Sequence, residues 1–398
     1  MVFFQILFLI VLSLVFLACL WLFLLTIGAW MFTPKKVTDA PFLKMGVLIP
    51  AHNEELQMEQ TIAAVRRCHY PEELLDIFVI ADNCSDRTAD VARSCGAAVA
   101  ERHNLEMRGK GQALDWFLTS QTDLYGSCDL LTIIDADVAP EEDYFKELNC
   151  SLSHPEVQVV QAYNGVANPY DSWRTALVSA AFNVFNHLRM AGSVRLFGTA
   201  TLKGNGMGFR REILQTYGWP AHSVVEDVEF SLTLLEDRVD VHYNPDAVIR
   251  SEMAVSRSQA SSQRERWEGG RFALARELIP RLAGKCLQGE FRYFHALMDL
   301  AVPPLSLLIA AILFSLAASW LLFPSTLPIG FACLLISVIY VASGQLLMRA
   351  PLRLWCYLAS APVYIVWKML LYLKMALRGS ENTWTRTTRK SELDNQDN

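Results

Sequence analysis

The sequence predicts an α/β domain built on a mostly parallel sheet and held between apolar segments long enough to cross a bilayer. Three observations carry this expectation. Over residues 44–270, short apolar runs alternate with stretches of helical periodicity. From Met1 to Phe32 there is no charged residue. Long apolar stretches then return over residues 301–323, 327–348 and 352–377. With 398 residues, 52% of them hydrophobic, the chain has room for two or three domains and more apolar residues than a soluble protein carries. Its net charge of −6 gives no basic surface of the kind nucleic acid requires. The nine cysteines include no CxxC pair and read as reduced packing residues, not as a disulfide or zinc framework.

The first apolar segment has no basic residue before it and no small-residue cleavage site, so it reads as an anchor and not as a secretory leader. Trp30 sits where an interfacial aromatic belt would lie, and Lys35 and Lys36 place the following domain in the cytoplasm. The expected layout is an anchor over 1–33, a cytoplasmic domain over 44–270, interfacial helices over 271–296, membrane segments over 297–377 and a polar tail over 378–398. In the last apolar stretch Pro362, Lys368 and Lys374 interrupt the pattern, which fits a span, a re-entrant segment or an interfacial helix. Arg378, Arg386, Arg389 and Lys390 favour a tail on the inside, with that last segment crossing incompletely.

Within the domain, residues 45–49 read as a strand that ends in Pro50-Ala51-His52-Asn53-Glu54-Glu55. A loop after the first strand of such a sheet is where nucleotides bind, although Asn53 also suits a helix cap. The strand over 77–81 delivers Asp82, able to accept from a base N–H or a ribose hydroxyl or to act as another cap. Gly109-Lys110-Gly111 gives backbone room near an anion and a charge beside it. The apolar run 130–134 leads into Asp135-Ala136-Asp137, with Pro140 expected to end any strand. Period-two geometry sends both carboxylates to one side if the strand continues, which makes a place for a divalent cation, and a surface turn is the alternative. Residues 140–153 read as a helix, 157–162 as a strand and 173–189 as one amphipathic helix; the glycines of 204–208 suit a tight turn. Glu226, Asp227 and Glu229 fall in the first turn of a later helix, where a helix N-terminus stabilises carboxylates with or without catalysis. Gln263-Arg264-Glu265-Arg266-Trp267 offers a guanidinium for phosphate and a ring face for a sugar, or ordinary interfacial residues before a span.

Taken in order, IPAHNEE, ADNCSDRT, GKGQAL, IIDAD, GNGMGFRR, VED and QRERW resemble the motifs of membrane-embedded family 2 glycosyltransferases with the GT-A fold, the group that includes cellulose, chitin-oligosaccharide and hyaluronan synthases. The resemblance covers about residues 44–270, and Gln263, Arg266 and Trp267 match its QxxRW element. It implies a Rossmann-like, mostly parallel mixed sheet and a bacterial inner-membrane enzyme with its catalytic domain in the cytoplasm. It also implies roles. Ala51, His52, Asn53, Glu54 and Asp82 would hold the base and ribose of a nucleotide-sugar donor, with Lys110 near its diphosphate. Asp137 would hold Mg²⁺ or Mn²⁺, with Asp135 beside it and turned to the ribose side. Asp227 would be the general base, Arg266 would face the diphosphate, and Trp267, with Glu226 and Gln263, the acceptor. VED stands where TED is usual and ADNCSDRT where DDGS is commoner. The implied activity is inverting transfer, from a donor expected to be UDP-linked, to a growing saccharide with β-linkage. The alternatives are single addition to a ceramide- or diacylglycerol-type lipid and a catalytically silent nucleotide-binding subunit of a synthase complex. A lipid bilayer and export or synthase proteins are the other partners implied, and nucleic acid is not among them.

Overall fold

In the computed structural model, residues 2–220, 225–254 and 257–378 are described, the side chains of 257–260, 262, 263, 266 and 378 excepted. The chain forms two compact units. One comprises residues 33–168 and 198–253, the other residues 2–32, 169–197 and the described residues from 254 onward.

The first unit is an eight-stranded sheet: β1 (Met45–Ala51), β2 (Leu75–Asp82), β3 (Ala98–Arg102), β4 (Leu130–Ile133), β5 (Val138–Pro140), β6 (Val159–Val166), β7 (Met207–Arg210) and β8 (Val241–Ser251). The spatial order is β3-β2-β1-β4-β7-β6-β8-β5. The pairs β3-β2, β2-β1, β1-β4 and β6-β8 are parallel, while β7 runs antiparallel to β4 and β6. β1 is buried at every residue, as helices on both faces require of a parallel strand. Those faces are covered by α2 (Glu55–Arg66), α3 (Thr88–Ser94), α4 (Lys110–Ser120), α5 (Thr122–Tyr125), α6 (Tyr144–Leu152), α9 (Arg211–Tyr217) and α10 (Glu226–Glu236). Two apolar clusters result, one around Val47, Ile49, Ile62 and Phe145, the other around Leu48, Phe117, Phe209 and Trp219. Because β1, β2 and β4 are parallel and in register, their carboxyl ends release the loops after Ala51, Asp82 and Ile133 along one edge.

Several expectations change here. β4 stops at Ile133, so Asp135 and Asp137 lie in a turn and not on a strand; the amide of Val138 closes that turn on the carbonyl of Asp135. Pro140 does not end a strand but belongs to one, because β5 is an edge strand that pairs with β8 alone and has no second neighbour to receive an N–H. Besides β5, three further strands were not foreseen. β3 and β7 are five and four residues long, and β8 carries His242, Asn244 and Asp246 within a run that reads as polar.

The second unit contains α1 (Val2–Trp30), α7 (Trp173–Phe182), α8 (Arg189–Phe197), α11 (Arg257–Leu287), α12 (Phe294–Ala301), α13 (Leu305–Leu322), α14 (Leu327–Leu347), α15 (Leu352–Tyr357) and α16 (Ala361–Arg378). Four segments among the described residues are long and apolar enough to cross a membrane: Val2–Trp30, Leu305–Leu322, Pro324–Leu347 and Leu352–Leu377. The expected single helix over 173–189 instead runs to Phe197 through a π-helical segment, Asn183–Leu188, and it packs with the apolar helices, so residues 44–270 are not one contiguous domain. Its polar residues explain the placement. Asn183 donates to the Gln345 side chain at 2.9 Å, Gln345 to the carbonyl of Ala180 at 3.0 Å, and Arg189 to the Tyr340 hydroxyl at 2.8 Å. In apolar surroundings each such group needs a partner, and these helices supply them to one another. Shape adds to this: a Cβ on Gly28 of α1 would stand 2.9 Å from the carbonyl oxygen of Gly192 in α8. α11 is continuous across residue 270, where a boundary was expected. The tail beyond 378 lies outside the described residues.

His242 in β8 is buried, and its Nδ1 has no hydrogen-bond partner among the described residues. Burial, helped by the charge of Lys35, pushes its pKa down to about 4. The folded protein therefore holds this imidazole neutral, and its contribution to stability is complete above the unfolded value of about 6.5 and lost as pH falls towards 4. The loss expected from this group is about 3 kcal/mol. Thermal unfolding of the detergent-purified chain between pH 7.5 and 4 should show that decline, and His242→Leu should flatten it. An unchanged slope in the variant would assign the decline to other groups.

Candidate active site

The Asp135–Asp137 turn is braced from three elements. Thr61 of α2 donates its hydroxyl to the carbonyl of Ala136 at 2.6 Å. The amide of Asp135 donates to the Asn205 side chain at 3.2 Å, and Lys110 at the start of α4 donates to Asp135 Oδ1 at 2.6 Å. The same ammonium donates to the carbonyl of Gly204. Lys110 thereby joins the turn after β4 to the glycine loop before β7.

That loop is in turn held by β6. The fully buried Gln161 donates to the carbonyl of Asn205 at 2.7 Å and accepts from the amide of Lys203 at 2.8 Å. Gly204 has φ +73°, in the left-handed region, and a Cβ there would stand 3.4 Å from Asp227 Oδ2. Glycine at this position brings the loop against the first turn of α10, which carries Glu226 and Asp227. Ser231 completes the contact by donating to the carbonyl of Asp227 at 2.7 Å and accepting from the amide of Leu202 at 2.8 Å.

The electrostatics follow from crowding. Burial would lower the pKa of Lys110, but Asp135, Glu226 and Asp227 outweigh it and keep the ammonium charged. Burial raises Glu226 to about 7, against the pull of Lys110 and reinforced by Asp227. Burial likewise raises Asp227 above the usual carboxylate range, against Lys203, the amide of Val228 and Lys110. A carboxylate held in this way is a stronger base than one in water.

A second cluster lies at the ends of β1 and β2. His52 Nδ1 is 2.7 Å from the carbonyl of Asp82, and Asn53, at φ +55°, accepts from the amide of Ser85 at 2.8 Å instead of capping α2. The Glu54 amide donates to Thr88 Oγ1 at 2.8 Å. Asp82 is buried and paired at 2.6 Å with Arg102 of β3, which also donates to the carbonyl of Met107 at 2.8 Å. Sequence reasoning missed Thr61, Arg102, Gln161 and Asn205. Of these only Arg102 leaves a trace in the sequence, as a charge closing an apolar run.

Asp137 follows in the same turn, partly exposed. Among the described residues no three His, Cys, Asp or Glu side chains are grouped to hold a metal ion alone. Asp135 and Asp137 are the carboxylates of this turn that could hold an ion such as Mg²⁺ or Mn²⁺, whose shell substrate phosphates and water would complete. Trp267 belongs to the other unit, on α11, with the Arg264 guanidinium 4.9 Å over its ring. The side chains of Gln263 and Arg266 lie outside the described residues.

The family described as Glycosyltransferase like family 2 matches residues 41–270. The chain belongs to this family. The sheet unit has the GT-A fold. Among curated relatives of this family 2 chain, the probable glycosyltransferase YdaM of Bacillus subtilis (strain 168) is 27% identical over 57% of this chain and 55% of its own length. A beta-monoglucosyldiacylglycerol synthase of Trichormus variabilis is 25% identical over 58% of this chain and 49% of its own. An N-acetylglucosaminyltransferase of Rhizobium leguminosarum bv. viciae is 22% identical over 63% and 61%. The chain thus spans about half the length of the first two of these relatives. Among solved structures, the mannosyltransferase PcManGT of Pyrobaculum calidifontis in complex with GDP-Man and Mn²⁺ aligns with TM-score 0.47 at 19% identity, over 89% of this chain and 99% of that one.

Gly204→Ala tests the contact between the loop and α10. The added Cβ strains a left-handed residue by about 1 kcal/mol and comes into contact with the Asp227 carboxylate. Its effect on transfer should far exceed its effect on folding: kcat should fall by about tenfold or more while the unfolding midpoint moves by only a few degrees. Equal, small changes in both would remove Gly204 from the site.

Proposed function

We propose that this chain is an inverting, membrane-bound glycosyltransferase that moves a sugar from a nucleotide donor, UDP-linked, to a growing oligosaccharide or polysaccharide through a β-linkage. The observation that carries the proposal is the pairing of a raised, half-buried carboxylate, Asp227, with a Lys110–Asp135 ion pair across one glycine loop. The first supplies a base and the second a place for diphosphate, the two requirements of a single displacement at an anomeric carbon.

In this mechanism the loops after β1 and β2, with Ala51, His52, Asn53, Glu54 and Asp82, hold the base and ribose. Lys110 and Arg266 meet the diphosphate, and Asp137 anchors the Mg²⁺ or Mn²⁺ ion. When bound, that ion offsets the charge that builds on the departing phosphate oxygen. Trp267 offers its ring to the acceptor sugar, and Glu226 and Gln263 are assigned to the same acceptor. Asp227 accepts the proton of the attacking acceptor hydroxyl. Attack from the face opposite the leaving group inverts the centre, so an α-linked donor yields a β-glycoside.

A second reading, single addition to a membrane lipid, is favoured by the resemblance to the Trichormus synthase. The chain's Asp135, Asp137 and Asp227 count against a silent subunit, which has no need of a base.

Product size separates the first two readings. Purified protein given labelled UDP-glucose, UDP-N-acetylglucosamine or GDP-mannose, with chitotetraose or dioleoylglycerol vesicles, should extend the saccharide into a ladder. One organic-soluble spot would sink the polymer reading and leave the lipid one. Asp227→Asn should lower kcat by about a thousandfold with little change in donor KM. EDTA should stop nucleotide release and added Mn²⁺ or Mg²⁺ restore it; release unaffected by EDTA would refute the metal role.

A further inference from the structure

α11 carries two sets of side chains at helical spacing. Glu265, Glu268 and Phe272 share one face, and all three meet α16. Glu265 accepts from Lys374 at 2.6 Å, Glu268 pairs with Lys368, and Phe272 lies edge-on to Tyr372 with ring centroids 5.8 Å apart. Arg264, Trp267 and Arg271 occupy the neighbouring face. There Arg271 donates to the carbonyls of Asp299 and Val302, at 2.8 and 2.7 Å, at the C-terminal end of α12. Lys368 and Glu268 are nearly dry, their side chains 5% and 12% exposed.

A helix gripped on two faces cannot turn about its own axis, and one residue step is about 100° of turn. Glu268 is the residue after Trp267, so the grip on Glu268 sets the direction in which the indole points. Lysines in an apolar helix cost free energy wherever they go, and here both are spent on this one neighbour. We propose that Lys368 and Lys374 are positioning residues for the acceptor: their ion pairs fix the rotation of α11 and thereby present Trp267 to the acceptor sugar. The inference rests on the acceptor role given to Trp267 above.

The test uses the full chain in detergent, with UDP-sugar as donor and whichever of chitotetraose or dioleoylglycerol the parent glycosylates. Lys368→Met should raise the acceptor KM by about tenfold, while donor KM and acceptor-free hydrolysis of the donor, which feel the same turn of the helix only through Arg266, change by about threefold or less. The exchanged pair, Lys368→Glu with Glu268→Lys, should recover most of that loss. Lys374→Met, at the more exposed pair, should shift acceptor KM in the same direction by less, and it serves if Lys368→Met does not fold. Equal losses in acceptor KM, donor KM and hydrolysis would mean that the pairs only hold the fold, and unchanged kinetics would mean that they do not act on the acceptor; either result overturns the proposal. A parent that transfers to neither acceptor from any donor sinks the proposed function and this role with it. A parent that transfers, with variants that match it, sinks the positioning role alone.

Discussion

One ammonium group decides whether this site can exist. Asp135, Glu226 and Asp227 all act on Lys110, and carboxylates at such spacing repel one another and lose solvation as the loops close. Lys110 answers both costs at once by binding Asp135 and the carbonyl of Gly204. The compensation is uneven, since Glu226 and Asp227 still stand above the usual carboxylate range. That rise is useful chemically: Glu226 and Asp227 keep an affinity for protons that a carboxylate in water lacks. A site in which every acid was fully neutralised would have no base.

Around this charge the backbone is arranged by short polar contacts and not by packing. Gln161 ties β6 to the glycine loop, Asn205 ties that loop to the turn after β4, and Ser231 ties α10 to the segment before it. Each replaces water at a buried backbone group, so losing one leaves an unmade hydrogen bond as well as a loosened loop. The other end of the sheet follows the same rule, where Arg102 serves both Asp82 and the loop carbonyl of Met107.

How much of this was legible in the sequence depended on whether its cause is local. β1, β2 and β4 were readable because burial on both faces demands continuous apolar runs. Asp82, Lys110, Asp135 and Asp227 could be singled out because each sits at an element's end, where side chains meet ligands. β8 was not readable: its polar residues are satisfied across the sheet, as when Asn244 donates to Ser151 at 2.9 Å. Residues 173–197 look like any amphipathic helix, and only their partners, Gln345 and Tyr340, show which side of the molecule they serve. Thr61 and Gln161 carry no signal because their roles are defined by segments far away in the chain.

The meeting of Gly28 with Gly192 bears on how the N-terminal helix should be understood. By hydropathy it is interchangeable with many others, since a bilayer accepts any sufficiently greasy cylinder. Against α8, however, it is read by its outline: the two backbones come within reach only because neither carries a side chain at that point. The helix is therefore keyed by shape as well as by hydropathy. A substitute of equal greasiness but fuller contour would match its hydropathy and still stand away from its neighbour.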